Sequence, residues 1–199
     1  MNLSKKIFYN KNFLIYGMGK TGISSYYYLK KNNKITLYDD NIKIFKNSNF
    51  NKFLLNKKKI YQTKFDYIVI SPGIDINKCE LKTYLKKNYK KIITDLDIFY
   101  ANNLKNKIIT ITGTNGKSTT AKLLSLILKN QKIDARLCGN IGDPILSQNK
   151  ISKKTLFIIE ASSYQIDYSK IFKTNYAAIL NISPDHLERH RSMKNYVKA

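Results

Sequence analysis

Short apolar runs alternate with helix-like stretches along this chain, a pattern typical of an α/β protein with a mainly parallel sheet. The runs that predict strands are rich in β-branched and aromatic residues and span residues 13–16, 34–38, 67–70, 91–94, 107–112, 155–159 and 176–181. The spacing of the apolar residues predicts helices over residues 23–31, 78–89, 120–130 and 193–199. In the third of these helices we expect one apolar face, formed by Leu123, Leu124, Ile127 and Leu128.

Two glycine-rich loops divide the chain into halves that begin alike. Each half opens with a strand, a glycine loop and a helix, and we place the boundary near residue 95. The fold class is therefore α/β, with a Rossmann-like N-terminal domain over residues 1–94 followed by a P-loop α/β domain over residues 95–199. We expect the second domain to be incomplete, because few strands follow residue 95 and the last helix has no Gly or Pro stop.

The composition points to a folded, strongly basic protein. Of the 199 residues, 36 are Lys or Arg and 13 are Asp or Glu, which gives a formal net charge of +23. The hydrophobic share of 43% excludes a disordered chain and a collagen-like repeat. The lysines run through the whole chain beside Asn and Ile. We interpret them as a solvated surface, with a nucleic-acid-binding face as the alternative.

Cysteine usage and hydropathy favour a cytosolic protein. Cys79 and Cys138 are too few for a disulfide framework, and no Cys/His cluster has the spacing of a metal site. No apolar run approaches the roughly 18 residues that cross a bilayer, and residues 1–12 show no apolar leader. We expect reduced thiols, a monomer, and neither a membrane nor a nucleic acid as partner.

The sharpest chemical signal is the segment GTNGKST at residues 113–119, between a predicted strand and a predicted helix. Its glycines let backbone N–H groups approach a phosphate, and the helix start adds the positive end of its dipole. Lys117 is placed to reach the outer phosphates, and the Ser118 hydroxyl to hold Mg²⁺. The usual P-loop has a Gly where this chain has Ile111, so the segment is a variant. A plain turn with a surface lysine is the alternative.

A second glycine loop, GMGKTG at residues 17–22, follows the first predicted strand. An acid, Asp39, stands about 20 residues further on, as in dinucleotide-binding loops. This pattern predicts a diphosphate beside a helix N-terminus, without specifying the rest of the ligand. The alternatives are a tight turn that binds nothing and, for Asp39, a surface turn residue.

Several single residues stand where the predicted strands end. Glu160 closes an apolar strand, and in P-loop proteins such an acid holds Mg²⁺ opposite the loop hydroxyl. A carboxylate that faces water is the alternative. His186 also follows a strand, although a lone His is more often structural, and we expect His190 at the surface. The segments SPG at residues 71–73 and CGNIG at residues 138–142 are loops at the edge where open α/β sheets bind ligands.

Taken together, these loops resemble those of the Mur ligase family. The matching stretches are, in chain order, GMGKTG, SPGI, TDLDIF, ITGTNGKSTT, CGNIG, IIEASSYQID and AAILNISPDHLERH, and they extend from about residue 13 to residue 190. The GTNGK segment is shared by several Mur ligases and by folylpolyglutamate synthase. The SSYQ stretch after Glu160 and the N-terminal glycine loop resemble the D-glutamate-adding member.

This resemblance implies a three-domain enzyme. Residues 1–94 would bind the UDP-substrate, residues 95–199 would begin the central ATP-binding domain, and a D-glutamate domain would lie outside this chain. The implied enzyme is an ATP- and Mg²⁺-dependent ligase of peptidoglycan biosynthesis, which adds D-glutamate to UDP-N-acetylmuramoyl-L-alanine through an acyl phosphate. The first glycine loop would then hold a uridine nucleotide. An NAD-dependent oxidoreductase and another member of the Mur ligase family are the alternatives.

The resemblance also implies roles for individual residues. The residues implied for ATP are Gly113, Thr114, Asn115, Gly116, Lys117, Ser118 and Thr119. Those implied for the UDP-sugar are Lys20, Thr21, Asp39, Ser71, Pro72, Gly73 and Asn140. Ser118 and Glu160 would hold Mg²⁺, and His186 would hold a second Mg²⁺ near the acyl phosphate. Lys117 and His186 would be the catalytic residues.

Two positions depart from the family pattern. Where the family often has an Arg two residues after the acid, this chain has Asn41, which leaves one phosphate contact without its usual residue. The family lysine that becomes carbamylated belongs to a Tyr-x-x-Ala-Lys pattern, and Lys198 is out of register with it. We therefore expect the chain to be an inactive fragment of a longer enzyme.

Overall fold

In the computed structural model, which describes residues 7–45 and 49–199, the strands form two parallel sheets. The first has the order β2-β1-β3-β4 and consists of β1 (Asn12–Tyr16), β2 (Lys34–Tyr38), β3 (Tyr67–Ile70) and β4 (Ile92–Ile93). The second has the order β6-β7-β5-β8 and consists of β5 (Lys107–Thr112), β6 (Ala135–Gly139), β7 (Leu156–Glu160) and β8 (Tyr176–Ile179). The predicted α/β class is confirmed.

Helices connect the strands and cover the sheets. They are α1 (Lys20–Leu29), α2 (Lys57–Gln62), α3 (Lys82–Lys87), α4 (Asp95–Asn102), α5 (Lys117–Asn130), α6 (Ser163–Tyr168), α7 (Leu187–His190) and α8 (Met193–Lys198). Short 3₁₀ turns span Ile42–Phe45, Asn51–Phe53, Tyr89–Lys91 and Ile145–Ser147. Within the described ranges, every helix is too short or too polar to span a bilayer. The prediction that residues 1–12 carry no leader falls in part on residues outside these ranges.

The strand order explains where the loops meet. Strand β1 pairs with β2 on one side and with β3 on the other, and β5 pairs with β7 and β8 in the same way. The connections that leave β1 and its neighbour β3 therefore run towards opposite edges of the first sheet. Those that leave β5 and its neighbour β7 do the same in the second sheet. Such switch points open a crevice at the carboxyl ends of the strands, and both glycine loops lie there.

Three helix boundaries differ from the prediction. Helix α1 begins at Lys20 rather than residue 23, because Gly19 is extended and serves as the N-cap. Helix α5 begins at Lys117 rather than residue 120, because the left-handed Gly116, with φ 82°, turns the chain directly into the helix. Helix α3 is shorter than predicted, because residues 76–81 form turns in which the Lys78 and Cys79 amides donate to the Asp75 carbonyl oxygen at 3.0 and 2.9 Å.

Two strand predictions also need correction. The run at residues 91–94 shrinks to Ile92–Ile93, and Thr94 becomes the N-cap of α4. Strand β6 was missing from the prediction, because Arg136 interrupts its apolar pattern. That charge is tolerated at the edge of the sheet, where Arg136 pairs with Asp134 at 3.1 Å and donates to the Lys150 carbonyl at 2.9 Å.

Two of the four residues predicted for the apolar face of α5 do not pack against the protein. Leu124 and Leu128 pack against the second sheet, whereas Leu123 and Ile127 are 56% and 50% exposed. Ala121 and Ser125, both buried, complete the inner face. The helix carries apolar residues on more than one side, so their spacing alone does not identify the side that packs against the sheet.

An apolar core runs without interruption from one sheet to the other. Phe99 of α4 meets Phe157 of β7 edge-to-face with a ring distance of 4.7 Å. Buried side chains at Ile145 and Leu146 bring the 3₁₀ turn Ile145–Ser147 against α1 and α4. One hydrophobic cluster therefore contains buried side chains of both halves.

Polar contacts also tie the start of α4 to the segment that follows α6. The Asp97 carboxylate accepts the Thr94 amide at 2.9 Å through Oδ2. Its Oδ1 accepts three successive amides of the second half, those of Lys170, Ile171 and Phe172, at 2.7–3.0 Å. The Thr94 hydroxyl lies 2.7 Å from that of Ser169. The N-terminus of α4 therefore anchors the segment that follows α6.

Because Asp95, two residues before Asp97, is buried, we expect the stability of the protein to depend on pH. Complete burial raises the pKa of its carboxyl from 3.8 to about 6, and the Gln165 amide at 3.4 Å offsets only part of this effect. Between these pH values the folded state keeps a proton that the unfolded state has lost, so stability falls as the pH rises. Between pH 4 and pH 7 we expect the wild type to lose about 2 kcal/mol of its free energy of unfolding relative to Asp95→Asn.

Urea denaturation of both proteins at intervals across this range provides the measurement. The control is Asp143→Asn, which removes an exposed carboxylate from the second half of the chain. Its stability profile should run parallel to that of the wild type. An equally parallel profile for Asp95→Asn would contradict the prediction.

Candidate functional site

A cavity of about 280 Å³ lies between the loops at the carboxyl ends of the two sheets. Its lining includes the turn after β3 in the first sheet and the loops after β5, β6 and β8 in the second. The sequence-predicted residues that line it are Pro72, Gly73, Gly113, Lys117, Asn140 and His186. The structure thus brings residues predicted for two different ligands to one cavity.

Gly113 and Gly116, which both have positive φ, shape the backbone of the loop after β5. Gly113 has φ +131°, and a Cβ there would lie 3.0 Å from the Asn181 carbonyl oxygen. The Thr114 amide donates to that same oxygen at 3.0 Å, and the Asn115 amide to Asn181 Oδ1 at 2.8 Å. These two amides are therefore bonded within the protein. The amides that remain for a phosphate are those of the first turn of α5, which have no acceptor inside the helix.

Lys117 lies over this loop and faces the cavity. Its Nζ donates to the Gly113 and Thr114 carbonyl oxygens, each at 2.7 Å. An ammonium group has three N–H donors, so these two bonds fix its position and leave one donor for a ligand. Lys117 is therefore held where an anion in the cavity would meet a positive charge.

Ser118 and Glu160 meet across the edge of the second sheet. The Ser118 hydroxyl donates to Glu160 Oε2 at 2.8 Å, and the Asn140 amide nitrogen lies 3.4 Å from Oε1. Glu160 is buried, and none of the ion pairs found among residues 7–45 and 49–199 involves it. A buried carboxylate with only neutral partners favours a bound cation. The oxygen donors of Ser118 and Glu160 are of the kind that Mg²⁺ prefers, so this pair fits the predicted metal.

His186 lies at the N-cap of α7 in a left-handed conformation with φ 50°. Its Nε2 is 3.5 Å from Asp185 Oδ2, and its Nδ1 is 3.6 Å from Glu188 Oε1. A search of the described part of the chain finds no group of three or more His, Cys, Asp or Glu side chains that could hold a metal ion. The imidazole lines the cavity, and a second Mg²⁺ at His186 stays a prediction.

The first glycine loop is closed by contacts with the turn after β3. The Ser71 hydroxyl donates to the Gly17 carbonyl oxygen at 2.7 Å, and Gly17 has φ +95°. A Cβ on Gly22 would lie only 1.9 Å from that same carbonyl oxygen. Helix α1 therefore starts as close to strand β1 as a backbone allows, which requires glycine at this position.

Asp39 organises this loop from the end of β2. Its Oδ2 accepts the Met18 amide at 2.7 Å, and its Oδ1 accepts the Asn41 amide at 2.9 Å. Lys20 and Thr21 form the first turn of α1. Of the residues that the structure describes, these three lie outside the lining of the cavity, so their contacts with a ligand stay predictions.

The sequence motifs predict no role for several residues that line the cavity, among them Tyr164, Arg189 and Tyr196. The prediction that His190 lies at the surface was wrong. His190 is buried, its Nε2 lies 2.8 Å from the Ser163 hydroxyl, and its ring stacks on Tyr164 at 5.2 Å. Burial lowers the pKa of this imidazole. The sequence signal for His190 was the stretch DHLERH at residues 185–190, in which only His186 was given a predicted role.

Tyr164 connects this group to the cavity. Burial raises the pKa of its phenol to about 12, so the ring stays neutral at physiological pH. The Arg189 guanidinium lies over the same ring, with its central carbon 3.6 Å from the ring centre. Tyr196, which packs against His190, places its hydroxyl 3.0 Å from that of Thr114. A continuous set of side chains therefore reaches from α7 to the loop after β5.

Two parallel sheets, each with a glycine loop between its first strand and the next helix, define an α/β protein of a fold type that binds nucleotides at such loops. The family model of the Mur ligase middle domain matches residues 111–199, and that of the MurD-like N-terminal domain of Mur ligases matches residues 11–93. The chain therefore belongs to the Mur ligase family.

Individual relatives agree with this assignment. A protein of Rickettsia bellii (strain RML369-C) is 39% identical over all of this chain, which covers 43% of that protein. One of Caldicellulosiruptor bescii is 36% identical over 95% of this chain, which covers 43% of that protein. Both are named UDP-N-acetylmuramoylalanine–D-glutamate ligase. The chain thus spans less than half the length of these curated relatives.

A solved structure shares the fold. The crystal structure of UDP-N-acetylmuramate:L-alanyl-gamma-D-glutamyl-meso-diaminopimelate ligase from Neisseria meningitides matches with a TM-score of 0.56 at 17% sequence identity. The match covers 95% of this chain and 66% of that one. At this identity the likeness supports the fold alone.

Proposed function

We propose that this chain carries the UDP-substrate and ATP sites of an ATP-dependent ligase that joins D-glutamate to UDP-N-acetylmuramoyl-L-alanine. The observation that carries the proposal is the shared cavity, which is lined by Pro72 and Gly73 of the turn after β3 and by Lys117. A reaction between two nucleotide-bearing substrates requires their reacting ends to meet, and this cavity is the place where they would. The names of the relatives supply the substrates.

The first glycine loop is the proposed site of the UDP group. Its closure by Ser71 and Asp39 holds the start of α1 in place, so that the diphosphate would meet the N-terminal end of that helix. Pro72, Gly73 and Asn140 lie further along, in the cavity, where the sugar and its L-alanyl arm would extend. Lys20 and Thr21 would contact the diphosphate from the first helical turn.

The second loop is the proposed site of ATP. Lys117 would use its remaining N–H donor on the β- and γ-phosphates, and the first amides of α5 would bind the same group. Ser118 and Glu160 would hold Mg²⁺, which when bound neutralises phosphate charge and so favours phosphoryl transfer. His186, which also lines the cavity, is proposed to hold a second Mg²⁺ near the acyl phosphate.

The chemistry that follows is a two-step amide synthesis. The terminal carboxylate of the L-alanyl arm attacks the γ-phosphorus of ATP, which gives an acyl phosphate and ADP. The amine of D-glutamate then attacks the acyl carbon, loses a proton and displaces phosphate, which leaves the amide. Lys117 stabilises the charge that develops on the transferred group in the first step. An NAD-dependent oxidoreductase is not favoured, because it gives no role to Lys117 or to the Ser118–Glu160 pair.

The test is ADP release by the protein made from the whole reading frame around this sequence. We expect release only when ATP, UDP-N-acetylmuramoyl-L-alanine and D-glutamate are all present, and at least a hundredfold slower release by Lys117→Ala. A preference for L-lysine or diaminopimelate over D-glutamate would contradict the proposed acceptor. Release that does not depend on the UDP-substrate would contradict the proposed function as a whole.

A further inference from the structure

Arg189 links the two halves of the chain at the cavity. It belongs to α7, after the last strand of the second sheet, yet its guanidinium reaches the turn after β3 in the first sheet. Its Nη1 donates to the Pro72 carbonyl oxygen at 2.7 Å, and its Nη2 to the Ile74 carbonyl oxygen at 2.6 Å. The planar fork of a guanidinium donates to these two carbonyls from two separate nitrogens in a fixed geometry.

The surroundings of Arg189 fix the direction of this fork. The guanidinium lies flat over Tyr164, 3.6 Å from the ring centre, and Tyr168 approaches from further away at 5.6 Å. Its Nε is buried, and no hydrogen-bond partner for it is found in the described part of the chain. A buried donor without a partner is unfavourable, so this arrangement is not the one that stability alone would select.

The turn that Arg189 binds, residues 71–74, contacts the first glycine loop and also lines the cavity. Its first residue, Ser71, closes the first glycine loop through Gly17, and its next residues, Pro72 and Gly73, line the same cavity as Lys117. We propose that Arg189 is a positioning residue, which fixes the turn at residues 71–74 and thereby sets a UDP-sugar at the correct distance from the phosphates at Lys117. This inference rests on the proposed function.

The test compares Arg189→Ala and Arg189→Lys with Arg191→Ala. Arg191 is a suitable control because it lies two residues away, is exposed, and also reaches the first half, through Asn77 Oδ1 at 2.9 Å. The affinities of the chain for UDP-N-acetylmuramoyl-L-alanine and for Mg·ATP are measured separately by calorimetry. We expect Arg189→Ala to weaken the UDP-substrate about tenfold and Mg·ATP less than twofold. Arg189→Lys should be intermediate, and Arg191→Ala should resemble the wild type.

Equal losses for both ligands, or no loss for either, would overturn the inference. A wild-type chain that binds no UDP-substrate would instead contradict the proposed function. A second readout therefore uses no ligand: the amide NMR signal of Gly73 is compared between the wild type and Arg189→Lys, which keeps the charge and so favours a folded variant. We expect this signal to move while that of Gly139, in the second sheet, stays in place. An unmoved Gly73 signal would overturn the inference even if no ligand binds.

Discussion

Replacing Lys117 by alanine is expected to weaken the binding of Mg·ATP about a hundredfold, a loss of about 3 kcal/mol. The side chain is held by two carbonyl oxygens of its own loop, and its third N–H is left for phosphate. The variant therefore loses both a charge-assisted contact and the charge that faces the cavity. Titration calorimetry on the chain with Mg·ATP measures the effect directly.

The matched control is Lys122→Ala, which removes an exposed lysine about one and a half helical turns further along α5. It lowers the net charge by the same amount, so it separates the specific contact from the general attraction of a basic protein for an anion. We expect its affinity for Mg·ATP to stay within twofold of the wild type. Equal losses in the two variants would show that Lys117 acts only through net charge.

Replacing Gly22 by alanine is expected to lower the free energy of unfolding by about 3 kcal/mol, which corresponds to a fall in Tm of about 10 °C. The added Cβ would lie 1.9 Å from the Gly17 carbonyl oxygen, a distance at which the helix and the loop must separate. Because that oxygen also accepts the Ser71 hydroxyl, the displacement would spread to the turn after β3. Thermal and urea unfolding measure the loss.

Gly19→Ala is the control for this substitution. Gly19 belongs to the same loop, has an ordinary φ of −71°, and a Cβ there would meet nothing within 4 Å. Its unfolding free energy should change by less than about 1 kcal/mol. If the two variants were equally stable, the close approach of α1 to β1 would not be a constraint on this fold.

The architecture could be predicted because its determinants are local in the sequence. Strands β1, β3 and β5 are short apolar runs that stop at glycine or proline, and each lies within a residue or so of the prediction. A glycine loop between a strand and a helix implies the same local geometry wherever it occurs. The positions of both loops at the carboxyl ends of their strands therefore followed from the sequence.

The features that could not be predicted depend on tertiary contacts. Arg189 and His190 stand in a polar stretch, and nothing in its pattern indicates that one binds a turn more than a hundred residues away and the other is buried. The face of α5 that packs depends on where the second sheet lies. The pairing of the Thr114 and Asn115 amides with Asn181 likewise joins segments far apart in the chain.

The packing of the turn Ile145–Ser147 against α1 has a consequence for exchanging parts between homologues. A chimera that takes residues up to the end of β4 from one relative and the remainder from another would have to preserve the fit of Ile145 and Leu146 against a foreign α1. Recombination points inside α4 would split the Phe99 ring from the carboxylate of Asp97. The two halves are thus inherited most safely as one block, although each carries its own sheet.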